Sequence, residues 1–120
     1  WQYAGESTFN LQNVRVLLRL AVEYARADKI EDAKRALRQI LPERTIGFPY
    51  YNCRLLIPQF AICHSYIRTR QMAKASALFD EIRTKVAEYT KNAKSQSDPI
   101  FVRNNQMKNE TATELAKVTK

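Results

Sequence analysis

Two neighbouring side chains stand out as chemistry-bearing: Cys63 and the only histidine, His64. A thiol beside an imidazole suggests a nucleophile activated by a base. The spacing argues against it, because consecutive helical residues point about 100° apart and do not face one another. No second histidine exists to complete a metal site, and no Ser/His/Asp set can be assembled around His64. Cys53 lies ten residues before Cys63, without a second pair and without metal-ligand spacing. Two buried free thiols is the plain reading; a disulfide or a metal site is the alternative, and the redox compartment stays open. The two glycines, Gly5 and Gly47, are too far apart to build a phosphate-cradling loop. The acid pairs Glu31-Asp32 and Asp80-Glu81 stand among lysines and arginines and read as solvated partners three or four residues apart. Asn109-Glu110-Thr111 has the form of a glycosylation acceptor, a triplet that recurs often by chance. No catalytic residue, metal ligand or cofactor is assigned.

Binding is better supported than catalysis. By helical phase Arg15, Leu18, Val22 and Arg26 share one side of a first helix. Ile57, Phe60, His64 and Arg68 share the matching side of a later one. Guanidinium groups can hold a carboxylate in bidentate fashion, so a mixed apolar and basic groove predicts an acidic-apolar peptide or a neighbouring domain as partner. The alternative is that these arginines are simply solvated. A second candidate is the aromatic cluster Phe48, Tyr50 and Tyr51, read either as packing between helices or as an exposed patch that docks onto a membrane-embedded partner.

The elements that must position these residues are helical. The chain has 120 residues, 45% of them apolar, enough for one modest core and too many for a disordered tail. Two glycines and four prolines are too few for a turn-rich β-sandwich, and Val14 to Tyr89 is rich in good helix formers. The net charge of +8 is spread through the helices among acids, with no run of five cations. Without a helix-turn-helix, zinc or RNA-binding aromatic motif beside it, that charge does not favour nucleic acid. No apolar run approaches the ~20 residues needed to cross a bilayer, and Trp1 to Asn13 does not read as a signal peptide. The start at Trp1 rather than methionine predicts an excised or processed fragment, soluble as it stands, with membrane contact only through a region outside it.

Sliding the chain on itself by 42 residues aligns two stretches without a gap. Leu20 falls on Ile62, Ala21 on Cys63, Tyr24 on Tyr66 and Arg26 on Arg68; Ala33 then falls on Ala75, Leu37 on Phe79 and Ile40 on Ile82. Within the first copy, Leu17, Leu20, Ala21 and Tyr24 make one apolar face, and Ile30, Ala33, Leu37 and Ile40 make another beyond a break at Asp28-Lys29. The second copy reads Phe60, Ile62, Cys63 and Tyr66, a break at 69–71, then Met72, Ala75, Phe79, Ile82 and Val86. Pro42 closes the first copy. The pattern predicts two antiparallel helix hairpins over 13–90, with an insertion at 42–58 between them. An N-terminal extension (1–12) precedes them. A polar linker and a C-terminal capping helix (91–120) follow, with Asp98-Pro99 as cap and first helical residue and Phe101, Met107, Leu115 and Val118 covering the open end.

This layout resembles the tetratricopeptide repeat: a large residue, a leucine, a small residue and a tyrosine on the first helix, then alanine and a large apolar residue on the second. The usual period is 34; here it is 42, so about eight residues are inserted between hairpins. The glycine usual in each hairpin turn is absent, with Lys29 and Gln71 standing nearby. The order of Arg19, Leu20, Ala21, Ala33, Leu37, Pro42-Glu43-Arg44, Phe48, Tyr50, Tyr51, Leu56, Pro58, Tyr66, Ala75 and Phe79 is also similar to a narrower group. That group is the C-terminal soluble region of a Bacteroidetes family of multi-pass membrane proteins of unknown function, related to protein O-mannosyltransferases. The resemblance covers 13–89 and implies an accessory domain of a bacterial envelope protein whose missing part holds the membrane spans and any sugar transfer. The expected function is therefore a non-catalytic interaction or domain-positioning module of such a protein. The alternative is a freestanding, cytoplasmic adaptor that binds an acidic-apolar peptide.

Overall fold

A computed structural model describes residues 11–40, 54–91 and 99–118. These residues form five helices and no strand: α1 (Leu11–Arg26), α2 (Ile30–Arg38), α3 (Leu56–Arg68), α4 (Met72–Lys91) and α5 (Pro99–Val118). The fold is all-α. Phe48, Tyr50, Tyr51, Pro42, Cys53 and the segment 1–10 lie outside the described residues.

Both short connections end their first helix in the same way. Lys29 N–H donates to the Tyr24 carbonyl at 2.8 Å and Asp28 N–H to the Ala25 carbonyl at 3.0 Å. Gln71 N–H donates to Tyr66 at 2.8 Å and Arg70 N–H to Ile67 at 3.1 Å. This pair of bonds satisfies the last carbonyls of a helix and requires a left-handed residue, normally glycine, just past its end. The chain places Asp28 (φ 60°) and Arg70 (φ 62°) there, one residue before the Lys29 and Gln71 pointed to by the sequence. Each bond has its counterpart 42 residues on.

α3 is the central element. It touches α1, α2, α4 and α5, whereas α1 touches only α2 and α3 among the described helices. A helix enclosed on all sides must be apolar nearly all round, and α3 buries Leu56, Pro58, Phe60, Ile62, Cys63, Ser65, Tyr66 and Ile67. Fully buried alanines Ala25, Ala33 and Ala75 join the same cluster, with Ile82, Val86 and Leu115 closing it. The Cys63 thiol donates to the Ala75 carbonyl at 3.4 Å. A smaller cluster of Val14, Leu18 and Ile40 sits at the other end.

Two expectations are corrected. Leu20, aligned with the buried Ile62, is 41% exposed: among the described helices α1 packs only on α2 and α3, whereas α3 is packed by α1, α2, α4 and α5; the buried face of α1 is Val14, Leu18, Ala21 and Ala25. Phe60, expected on the groove, is fully buried in the main cluster. On α5, Leu115 joins the main cluster and Met107 and Val118 pack against it; Ile100, Asn104 and Thr111 are buried as well, and Phe101 is half-buried.

Phe60→Ala is expected to cost about 3–5 kcal/mol by leaving a cavity, while Leu20→Ser stays within about 0.5 kcal/mol; urea unfolding measures both. In the same assay Arg70→Gly gains about 0.5–1 kcal/mol by relieving the left-handed backbone. Asp28→Gly frees the same angle but deletes the acceptor for Ser65 and Arg68, and lowers stability.

Candidate groove on α1, α3 and α5

Two adjoining hollows lie along α1, α3 and α5. The wider, about 690 Å³, is lined by Arg15, Leu18, Arg19 and Val22 of α1, by Arg54 with Ile57 and Pro58 at the start of α3, and by Arg103 of α5. The narrower, about 190 Å³, is lined by Val22 and Arg26, by Ile57, Ala61, His64 and Arg68, and by Arg103 and Met107. Val22, Ile57 and Arg103 belong to both, so the hollows form one groove. From the wide end to the narrow, residue numbers rise on all three helices, which therefore run in the same direction along it.

The groove brings together Arg15, Leu18, Val22, Arg26, Ile57, His64 and Arg68 of the sequence-derived candidates, and leaves out Phe60. Leu18 forms floor rather than rim, being itself largely buried. Arg19, Arg54, Ala61, Arg103 and Met107 were not anticipated. Arg54 precedes α3 and Arg103 lies on α5, neither of which the 42-residue alignment covers. The signal available for Arg103 was its spacing of four from Met107, which sets both on one side of α5.

The narrow end is neutralised from within the chain. Arg68 donates to Asp28 Oδ1 through Nε (3.1 Å) and Nη2 (2.8 Å), and through Nη2 to the Ala25 carbonyl at 3.0 Å. The Ser65 hydroxyl donates to the same Asp28 oxygen at 2.7 Å. These bonds, Ser65 first and Arg68 next, hold the Asp28 carboxyl below its ordinary range. Arg26 stands 3.8 Å from Glu23. Of the arginines expected to grip a partner's carboxylate, Arg68 already holds one of this chain's own.

His64 bridges α3 and α5, its Nε2 lying 3.0 Å from the hydroxyl of the fully buried Thr111. Burial and then the Arg68 charge lower its pKa below 6.5, against an opposing pull from Glu114 and Glu110. Burial also pushes the Cys63 thiol up to about 11, far from a working nucleophile. Among the described residues no three His, Cys, Asp or Glu side chains are grouped to hold a metal, and no helix is long and apolar enough to cross a membrane. Comparison with protein-family models, with curated proteins and with solved structures gives no match.

As the only histidine, His64 gives a single imidazole resonance. Its titration by proton NMR should have a midpoint below 6.5, raised by Arg68→Ala and lowered by Glu114→Gln. A depressed folded-state pKa means that the unfolded chain takes up a proton first on acidification. This contribution to stability is therefore intact above pH 6.5 and declines as pH falls from there through the folded value.

Proposed function

We propose that this chain is a non-catalytic helical-repeat interaction module whose groove binds an acidic-apolar peptide segment of a neighbouring domain or partner protein. In this reading α1–α2 and α3–α4 are two copies of one antiparallel tetratricopeptide-like hairpin. Helix α5 stands where the first helix of a third copy would stand. The two turns support it, since their bonds and left-handed residues recur at a fixed offset of 42. The contacts agree with it as well: α3 touches both helices of the preceding pair, and α5 touches both α3 and α4.

The single observation that carries the function is the lining of the groove. Arginines from three separate elements surround an apolar floor of Leu18, Val22, Ile57 and Pro58, and among the described residues no carboxylate lines either hollow. Like charges gathered in a concave, partly desolvated place attract anionic partners and speed their encounter. An apolar floor adds affinity for a side chain that a small free anion does not have.

The resemblance to the membrane-protein family favours a domain-positioning role in a bacterial envelope protein, with the bound segment belonging to the same polypeptide. A freestanding cytoplasmic adaptor is the alternative. The length of the open reading frame separates the two: apolar spans upstream support the first, a short frame the second.

Fluorescence anisotropy with labelled degenerate peptides rich in Asp, Glu and Leu tests the groove itself. Binding should be saturable and weakened about tenfold or more by Arg103→Glu, an exposed change that leaves the fold intact. Failure of every such peptide to bind at low salt refutes the reading.

A further inference from the structure

The two ends of the groove differ in charge. At the narrow end Arg68 shares its fork with Asp28 and Arg26 stands beside Glu23. At the wide end Arg15, Arg19 and Arg103 have no hydrogen-bonded or ionic partner among the described residues, and Arg54 adds a fourth guanidinium. Resting on the groove reading above, we propose that the wide hollow seats a phosphate monoester carried by the bound peptide, while the narrow hollow takes an apolar side chain of the same peptide.

Three observations favour a phosphate over a carboxylate. The first is stoichiometry. A carboxylate brings one charge and two acceptor oxygens, whereas a phosphate monoester brings about −1.5 to −2 and three. The guanidinium groups of Arg15 and Arg19 on α1 and of Arg103 on α5 match the larger anion.

The second is helix direction. Ile57 and Pro58 lie in the first turn of α3 and Arg103 near the start of α5, so both helices point their positive ends toward this hollow. Neither helix carries an acid in its first turn, and nor does α1. Within those first turns the dipoles add to the guanidinium charges.

The third is size. About 690 Å³ accommodates a hydrated phosphate together with the backbone that bears it, while about 190 Å³ suits one side chain between Ala61, Ile57 and Met107. A nucleic-acid strand fits less well. Its successive phosphates need a continuous basic track, whereas at the narrow end Arg26 and Arg68 are paired with Glu23 and Asp28, and His64 lies in the field of Glu110 and Glu114.

Three labelled nonapeptide pools, degenerate except for a central phosphoserine, glutamate or serine, test this on the full chain at physiological salt. The phosphoserine pool should bind about tenfold or more tighter than the glutamate pool. Arg15→Gln with Arg103→Gln, both at exposed positions, should abolish that preference while circular dichroism stays unchanged. Equal affinity for phosphoserine and glutamate, or a preference that survives the double variant, overturns the assignment. So does tighter binding of an oligothymidylate or of phosphoinositide vesicles than of the phosphoserine pool. If the pools bind equally and Met107→Ser weakens all of them, the peptide groove stands and the phosphate assignment falls; if no pool binds, both fall.

Discussion

One carboxylate oxygen, Asp28 Oδ1, joins the first helix pair to the second. It accepts from the hydroxyl of Ser65 and twice from the guanidinium of Arg68, whose other bond goes to the last turn of α1 at the Ala25 carbonyl. Surface ion pairs are individually weak. This one is different in kind, because Ser65 is completely buried and has to find its acceptor across the interface. The left-handed backbone at Asp28 aims the carboxylate at α3, so the local strain of the turn and the long-range contact are one arrangement. With that anchor set, α3 lies along α1, and the alanines at 25, 33 and 75 let backbones approach where larger residues would hold them apart.

The same anchor shapes the groove. Arg68, committed to Asp28, no longer offers its fork to a ligand, and the narrow end becomes an apolar recess with a histidine at its side. At the wide end Arg15, Arg19 and Arg103 have no ionic partner among the described residues. What distinguishes the two ends is therefore how each arginine is answered by acids of this chain, since both ends contain arginines. His64 adds a link of its own: by meeting Thr111 it makes the third wall, α5, part of the groove's geometry.

Much of this was legible from residues alone. All-helical character followed from composition and from apolar spacing, and most groove residues on α1 and α3 followed from helical phase. Two failures have physical causes. Leu20 and Ile62 are interchangeable as letters, yet one is exposed and the other enclosed, because exposure depends on how many helices surround the position. Phe60 shares the phase of the groove but not its side, since an enclosed helix buries neighbouring faces too. Asn104 and Thr111 escaped notice because polar residues break an apolar stripe, although both are buried and Thr111 meets a histidine. The two breaks were placed at Asp28-Lys29 and 69–71, but not which residue in each is left-handed: the motif is sought through glycine, and here aspartate and arginine occupy the strained place.

The uncovered flank of α1 has a constructional meaning. Val16, Leu20 and Glu23 stand 42 residues before Pro58, Ile62 and Ser65 of α3; the latter three are buried, and Ser65 bonds to Asp28 of the preceding turn. Comparing the two sets shows what an edge helix needs in order to become an interior one. The apolar pair can stay almost as it is, whereas the glutamate must shrink to a short hydroxyl able to reach a neighbour's turn.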